Sequence, residues 1–126
     1  MQIIATEGAP KAIGPYSQAI KSGNLLFTSG QISLDPATGE LVQGDFSAHA
    51  RRVFENLKAV LTEAGATFSN VVKATVYVTD LGNFQTLNGI YAEYFGDHKP
   101  ARTTIQAAAL PKGAPCEIDL VVVLSE

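Results

Sequence analysis

Two stretches of the chain carry apolar residues at the three- and four-residue spacing of an amphipathic helix. In residues 46–64 this spacing forms one continuous apolar stripe. In Phe84–Phe95 it recurs, with Phe84, Tyr91 and Phe95 among the residues on one side. The sequence therefore predicts two helices, each with one face against a core.

Residues that start and end helices flank both stretches. Asp45 or Ser47 can accept hydrogen bonds from the first free N–H groups of the longer helix, and Gly65 can end it. Asn83 is placed to cap the shorter helix, and Gly96 is placed to end it. The predicted helices are therefore bounded on both sides.

Four further stretches have the β-branched and apolar composition of strands. They are Leu25–Thr28, Val71–Val78, 101–109 and 117–124. Within the second of these, alternation predicts a shared face for Val72, Ala74, Val76 and Val78. An earlier stretch, 16–21, is a further strand candidate.

The last predicted strand is apolar on both sides. Alternation places Val121 and Val123 opposite Leu120, Val122 and Leu124, so both faces of this strand are predicted to be buried. Two helices cannot cover both faces of a sheet. We therefore expect a homo-oligomer in which the sheets of neighbouring copies pack together.

Two segments have the composition of turns. Residues 36–40 (PATGE) and 110–115 (LPKGAP) combine proline and glycine with small or polar residues. The second turn is predicted to join the last two strands into a hairpin. Strands with two interspersed helices predict a single α+β domain over residues 1–126, with one mixed sheet and both helices packed on one face.

Composition narrows the classes of function. The chain has 126 residues, of which 46% are hydrophobic and 17% charged, and a net charge of −3. No Lys/Arg cluster provides the footprint of a nucleic-acid-binding protein, and no apolar run approaches the ~20 residues that span a bilayer. The first residues lack the charged and then apolar pattern of a signal peptide. The single cysteine, Cys116, cannot form an internal disulfide. We expect a cytoplasmic protein that binds neither nucleic acid nor membranes.

Several kinds of site find no support in the sequence. His49 is predicted on a helix surface and His98 in a loop, and no set of His, Cys and carboxylates has the spacing of metal ligands. Cys116 has no adjacent base that would activate its thiol, so we interpret it as a packed residue. No segment has the glycine and lysine spacing of a phosphate-binding loop. We therefore expect no metal.

Arg102 and Glu117 are the remaining candidates for chemistry. Each lies at the start of one of the last two predicted strands, and the stretch around Arg102 contains no acidic residue. In a hairpin the two would lie at opposite ends, so they could meet only across a subunit interface. Arg102 has two interpretations. It is either a surface charge or intersubunit ion pair, or it is a residue that binds an anion.

Seven segments of the chain, in order, resemble the RidA branch of the YjgF family, the reactive-intermediate (enamine/imine) deaminases. They are AIGPYSQAI (12–20), LFTSGQI (26–32), FENLKAVLTEAG (54–65), VVKATVYVTDL (71–81), LNGIYAEYF (87–95), PARTTI (100–105) and ALPKGAPCEID (109–119). Together they cover nearly the whole length at the family's spacing.

The resemblance implies a chorismate-mutase-like fold and a homotrimer with three clefts between subunits. It implies that Arg102 binds the substrate carboxylate and that Glu117 directs a water molecule. Further substrate-binding roles are implied for Tyr16, Ser29, Gly30, Asn88 and Thr104. Some family members carry a cysteine at the position of Thr104, which can still donate a hydrogen bond.

The implied reaction is the hydrolysis of 2-enamino and 2-imino acids, such as 2-aminoacrylate and 2-aminocrotonate, to 2-oxo acids and ammonia. This is a 2-iminobutanoate/2-iminopropanoate deaminase without a cofactor, which limits damage from by-products of pyridoxal-phosphate enzymes. The alternative is a metabolite-binding or chaperone-like (holdase) protein without turnover. The expected small-molecule partners are 2-imino and 2-oxo acids.

Overall fold

The computed structural model describes residues 1–124 as one six-stranded sheet with two α-helices. The strands are β1 (Gln2–Ile4), β2 (Ala19–Ser22), β3 (Leu25–Thr28), β4 (Val71–Val78), β5 (Ala101–Gln106) and β6 (Cys116–Val123). The helices are α1 (Phe46–Glu63) and α2 (Phe84–Phe95). The predicted α+β class with one mixed sheet is confirmed. Within residues 1–124, neither helix has the length and apolar character needed to cross a membrane.

The strand order across the sheet is β1-β2-β3-β6-β4-β5. All neighbouring pairs are antiparallel except β4 and β5, which are parallel because α2 carries the chain back between them. Strand β6 therefore lies inside the sheet and β5 lies at an edge. The early strand candidate is confirmed in part, as β2, whereas β1 was too short for its pattern to indicate a strand.

The predicted hairpin of the last two strands is wrong. Strand β4 lies between β5 and β6 and pairs with both of them. The turn itself exists as a short 3-10 helix at Pro111–Gly113, but there the chain crosses the end of β4. The strand that is apolar on both sides, β6, takes the interior position, and the more polar β5 takes the edge.

Helix α1 supplies much of the core that covers the sheet. Asp45 caps it as predicted, because the Asp45 carboxylate accepts a hydrogen bond from the Ala48 N–H at 3.0 Å. The predicted apolar stripe is fully buried at Ala50, Val53, Phe54, Leu57, Val60 and Leu61. The ring of Phe54 stacks on that of Tyr94 in α2, with 4.8 Å between centroids, which fixes one helix against the other.

Helix α2 has the predicted bounds but a different cap. Asn83 makes no capping hydrogen bond with its side chain, so this prediction is wrong. A 3-10 turn, Leu81–Asn83, precedes the helix, and Asp80 caps that turn by accepting a hydrogen bond from the Gly82 N–H at 2.8 Å. Because the turn holds Asn83 at φ −88° and ψ 6°, its backbone lacks the extended geometry of a cap. Gly96 ends the helix at φ +60°, as predicted.

One residue of β4 faces the opposite way from the prediction. Val72 is 45% exposed, because a bulge between Val71 and Lys73 shifts the register of β4 against β6. Val71 takes the buried position instead. The other predicted members of this face are buried at Ala74, Val76 and Val78.

The sheet has an open face opposite the helices in the single protomer. The alternation of β6 is confirmed, with Leu120, Val122 and Leu124 buried on one side. Val121 and Val123 lie on the open face and are half-buried. Phe27 and Ile105 share this face and are 45% and 44% exposed. This apolar surface is the place where the sequence predicts a neighbouring copy.

Candidate functional site

Glu117 is the second residue of β6 and lies on the open face, opposite Tyr77 of β4. The segment that follows β3 runs beside it, because Gln31 and Ile118 exchange two backbone hydrogen bonds of 2.9 and 3.2 Å. This pairing places Gly30 directly against the Glu117 carboxyl. A side chain at Gly30 would collide with that carboxyl, so glycine is what allows the carboxyl to lie against the backbone here.

A cavity of about 520 Å³ opens beside Glu117. Tyr16, Ser29 and Gly30 line it together with Glu117, so the fold brings these predicted site residues together. The Ser29 hydroxyl donates a hydrogen bond to the Ser17 carbonyl and is therefore held in place by the chain itself. Within residues 1–124 no hydrogen bond engages the Gly30 N–H, which leaves it available to a ligand.

The surroundings of Glu117 favour its protonated form. Burial raises the pKa of Glu117, and the neighbouring carboxylate of Asp119 raises it further. Asp119 lies two residues along the same face of β6, opposite Thr75 of β4. A carboxylate with a raised pKa is a stronger proton acceptor, so Glu117 suits the task of a general base.

Arg102 lies on β5, at the edge of the sheet, opposite Ala74 of β4 and on the helix side. Its guanidinium carbon is 4.8 Å from the centroid of the Tyr91 ring and 5.4 Å from that of Phe84. These two rings of α2 form an aromatic shelf under the cation. Among the described residues no carboxylate forms a salt bridge with Arg102. The guanidinium is therefore left to a ligand or to a neighbouring subunit.

Helix α2 presents Phe84, Asn88 and Tyr91 on one side because their spacing is i, i+4 and i+7. A cavity of about 340 Å³ adjoins this side and is lined by Asn88, Tyr91 and Arg102. Three buried oxygens near it have no hydrogen-bond partner among the described residues, those of Asn88, Tyr91 and Thr104. A buried polar atom left without a hydrogen bond costs about 1–3 kcal/mol, so each of these oxygens is a position for a hydrogen bond with water or with a ligand.

The two groups of predicted site residues lie on opposite faces of the sheet. Arg102 aligns with Ala74 and Glu117 with Tyr77, and these positions of β4 point in opposite directions. Strands β5 and β6 also flank β4 on opposite sides, so their backbones at Arg102 and Glu117 are about 14 Å apart. One protomer therefore does not present both side chains to the same small ligand.

The sequence pattern does not identify Phe84 and Tyr91 as parts of the arginine site. It predicts both on the core-facing side of α2, yet Phe84 is 37% exposed and Tyr91 is half-buried beneath Arg102. Their regular spacing around Asn88 was the available signal. Without the position of β5, nothing distinguishes this spacing from that of an ordinary core stripe.

Three other residues with reactive side chains contribute to the structure. Cys116 is fully buried, and burial raises its pKa to about 12, which confirms its interpretation as a packed residue. His49 is not a plain surface residue, because its Nδ1 lies 2.6 Å from Ser33 Oγ. His98 lies in the predicted loop, with Nε2 2.6 Å from the Val71 carbonyl oxygen.

The chain is similar to known proteins over nearly its whole length. The family model described as Endoribonuclease L-PSP matches residues 6–124. A RutC family protein of Pyrococcus abyssi is 52% identical over 120 residues, which cover 95% of this chain and 94% of that protein. The human 2-iminobutanoate/2-iminopropanoate deaminase is 45% identical over 122 residues, which cover 97% of this chain and 89% of that protein.

The same agreement holds for solved structures. The crystal structure of a candidate endoribonuclease from Thermotoga maritima superposes with a TM-score of 0.98 and is 48% identical, covering 100% of this chain and 99% of that one. The relatives differ in name, but imine deaminases are among them. The chain therefore belongs to the Endoribonuclease L-PSP family, which is the YjgF/RidA family that its motifs resemble.

Proposed function

We propose that this protein is a hydrolytic deaminase of 2-enamino and 2-imino acids, which it converts to 2-oxo acids and ammonia. The observation that carries the proposal is the Arg102 guanidinium, which rests on the aromatic shelf without a carboxylate among the described residues. Such a group binds a carboxylate through two parallel charge-assisted hydrogen bonds. The name of the human relative, 2-iminobutanoate/2-iminopropanoate deaminase, gives the deamination of two 2-imino acids and supports the proposal.

The proposed site is completed between the subunits of a homotrimer. Because Arg102 and Glu117 lie on opposite faces, the Arg102 edge of one protomer has to meet the Glu117 cavity of the next. A contact between two different surfaces is heterologous and repeats head to tail until a ring closes. A ring of three is the assembly that the family resemblance implies, and it would cover the open face.

In this cleft Arg102 holds the substrate carboxylate, and the Gly30 N–H donates a further hydrogen bond to it. Glu117 takes a proton from a water molecule as the water oxygen attacks the C=N carbon, and the imine nitrogen receives that proton. Glu117 then moves the hydroxyl proton of the carbinolamine to the same nitrogen while the C–N bond breaks. Ammonia and the 2-oxo acid leave, one water has been consumed, and Glu117 is again a carboxylate.

The remaining predicted residues shape the cleft in this scheme. Tyr16 lines the Glu117 cavity, and Asn88 and Thr104 bring buried oxygens to the arginine side. Imines hydrolyse readily in water, so positioning and one acid–base group that contributes about 10²- to 10⁴-fold suffice. The proposed cellular role is to remove the reactive enamines that pyridoxal-phosphate-dependent dehydratases release into the cytoplasm.

A non-catalytic binding or holdase-like protein is the second candidate. The apolar open face favours it, because Phe27 and Ile105 expose large side chains that unfolded chains could contact. We do not propose RNA cleavage, although the family description names it. The chain is acidic overall, and its two histidines, His49 and His98, are each within hydrogen-bond distance of another group of the fold.

The first experiment couples the protein to a threonine dehydratase and follows the release of 2-oxobutanoate. Arg102→Ala should lose most of the acceleration, because truncating one partner of a desolvated charge pair costs about 2–5 kcal/mol, or about 30-fold or more. Arg51→Ala is the matched control, since Arg51 pairs with Glu93 at 2.8 Å on the surface and lines neither cavity. Full activity of Arg102→Ala would contradict the assignment.

A second variant separates the enzyme from the binding protein. Glu117→Gln should bind 2-oxobutanoate with nearly unchanged affinity, because Arg102 is intact. It should lose hydrolysis by about 100-fold or more, because an amide cannot accept the proton of water. Calorimetry and the coupled assay measure the two quantities. Equal turnover by the variant and the wild type would favour the non-catalytic candidate.

A further inference from the structure

We propose that Asn56 is a positioning residue for the Glu117 half of the site. It holds the segment 29–34 against β6, so that the Gly30 N–H and the cavity wall keep a fixed place beside Glu117. The consequence for catalysis rests on the proposed function, whereas the mechanical role of Asn56 does not.

Asn56 is a fully buried polar residue within the apolar stripe of α1. Its Nδ2 group donates hydrogen bonds to the carbonyl oxygens of Ile32 at 3.2 Å and Leu34 at 3.0 Å. Its Oδ1 accepts a hydrogen bond from Arg52 Nε at 3.0 Å. Both amide hydrogens and the amide oxygen are therefore used, which is what makes burial of this group tolerable.

A second contact with α1 is made by Ser33, the residue between Ile32 and Leu34. Ser33 is fully buried, and its Oγ lies 2.6 Å from Nδ1 of His49, also on α1. Side chains of helix α1 therefore lie within hydrogen-bond distance of three consecutive residues of the segment, Ile32, Ser33 and Leu34. A surface loop would not need this many contacts from buried side chains.

The other side of the same segment is bound to β6. Gln31 and Ile118 exchange two backbone hydrogen bonds, and each is the chain neighbour of a site residue, Gly30 and Glu117 respectively. The segment is thus clamped between α1 and β6, with Gly30 at the edge of the clamp. Releasing the α1 side lets the segment move away from β6, and Gly30 moves with it.

The expected effect falls on turnover more than on binding. Arg102, which holds the substrate carboxylate in the proposed site, lies on another element and does not contact Asn56. Loss of Asn56 displaces the Gly30 N–H and the wall that confines the attacking water near Glu117. The turnover number kcat should therefore fall. The affinity for 2-oxobutanoate should fall by a smaller factor, because Arg102 still holds the carboxylate and only the hydrogen bond from the Gly30 N–H is weakened.

The pH profile gives a second readout. The titratable groups around Glu117 are Asp119 on β6, Tyr77 on β4, and Tyr16 and Lys112 in the loops that line the cavity. Burial is the main reason for the raised pKa of Glu117. A loosened segment admits water, so the acidic limb of the kcat/KM profile should move to lower pH.

The experiment compares Asn56→Leu and Asn56→Asp with Val60→Ala. Leucine keeps the volume without the amide, and aspartate keeps the acceptor for Arg52 without the donor. Val60, one helical turn further along α1, is fully buried and lines neither cavity, so its truncation lowers stability but removes no hydrogen bond to the segment.

We expect kcat to fall about tenfold or more in both Asn56 variants, and Kd for 2-oxobutanoate to rise by a clearly smaller factor. Val60→Ala should lower the melting temperature but keep kcat and the pH profile. An unchanged kcat in Asn56→Leu, or a loss that Val60→Ala reproduces, overturns the proposal.

Amide hydrogen exchange tests the clamp without any turnover. The Gln31 and Ile118 amides should exchange about tenfold faster in Asn56→Leu than in Val60→Ala, because only the first variant frees the segment. Equal exchange overturns the positioning role. If the wild type shows this protection but hydrolyses no imine, the proposed function fails and the positioning role stands.

Discussion

Arg102 and Glu117 are prepared for different tasks by their surroundings. The Arg102 cation lies over two aromatic rings, which support its charge and leave the nitrogen edge of the guanidinium free. Glu117 is half-buried beside Asp119, and both burial and the second carboxylate raise its pKa. In the proposed site, Arg102 is therefore the cation that holds the anionic ligand, and Glu117 is the carboxylate that accepts a proton.

The pH dependence of the reaction tests the role of Glu117. The proposed base acts only when deprotonated, and its pKa is raised above the ordinary value of 4.5. The acidic limb of kcat/KM should therefore lie above pH 4.5, with activity lost as the pH falls through the raised pKa. Asp119→Asn removes the second cause of the shift and should move the limb to lower pH.

Glu63→Gln is the control for this measurement, because Glu63 is exposed near the end of α1 and lines the cavity of neither half-site. The pH–rate profile of the coupled assay provides the data. A limb that stays in place in Asp119→Asn would show that Asp119 does not act on the catalytic group.

At the scale of elements, segment 29–34, which follows β3, links the proposed Glu117 half of the site to the core helix α1. It pairs with β6 through Gln31 and is held to α1 through Asn56. Gly30 directly precedes these attachments, and the Glu117 carboxyl occupies the space that a side chain at this position would take. A side chain at Gly30 would therefore push the Glu117 carboxyl out of its place, although the backbone angle of Gly30 is one that other residues adopt.

A methyl group at Gly30 should separate the segment from Glu117. We expect Gly30→Ala to lower kcat/KM by about 100-fold, since small displacements of positioned groups have effects of this size. Gly89→Ala is the matched control, because a Cβ there meets nothing within 4 Å. Alanine in the helix should stabilise the fold by about 0.5–1 kcal/mol. Wild-type activity of Gly30→Ala would show that the contact is dispensable.

At the scale of the whole molecule, the sheet keeps its two half-sites apart. The Arg102 half faces the helices at the outer edge, and the Glu117 half faces the open side near the middle. The open side also carries exposed apolar residues, Phe27 and Ile105 among them. A ring of protomers would bury this surface and join unlike halves in each cleft.

Mixing two inactive variants tests this arrangement. Arg102→Ala and Glu117→Gln chains, unfolded and refolded together, should regain activity, because a cleft that takes Arg102 from one chain and Glu117 from the other is intact. Random assembly places both native residues in roughly a quarter of the clefts. The coupled assay measures the recovery, and light scattering should give a trimeric mass. Absence of recovery from correctly assembled mixtures would contradict a shared site.

The sequence by itself determined the elements whose signals are local. The bounds of α2, the Asp45 cap of α1 and the strands Leu25–Thr28 and Val71–Val78 follow from periodicity and from capping residues that lie within a few positions of each other. The motifs also determined the family and the identity of the candidate residues. Each of these signals needs only neighbouring residues, because helices and turns make their hydrogen bonds locally.

Only the tertiary structure decided which strands are neighbours and which faces the site residues occupy. The alternation of side chains along a strand predicts which residues of β5 share a face with Arg102 and which residues of β6 share a face with Glu117. It does not predict which strands are neighbours, because strand pairing depends on contacts between distant parts of the chain. The insertion of β4 between β5 and β6 abolished the predicted hairpin and gave Arg102 its shelf of Phe84 and Tyr91. It also placed Glu117 on the opposite face, because positions of β4 that differ by three residues point to opposite sides of a sheet.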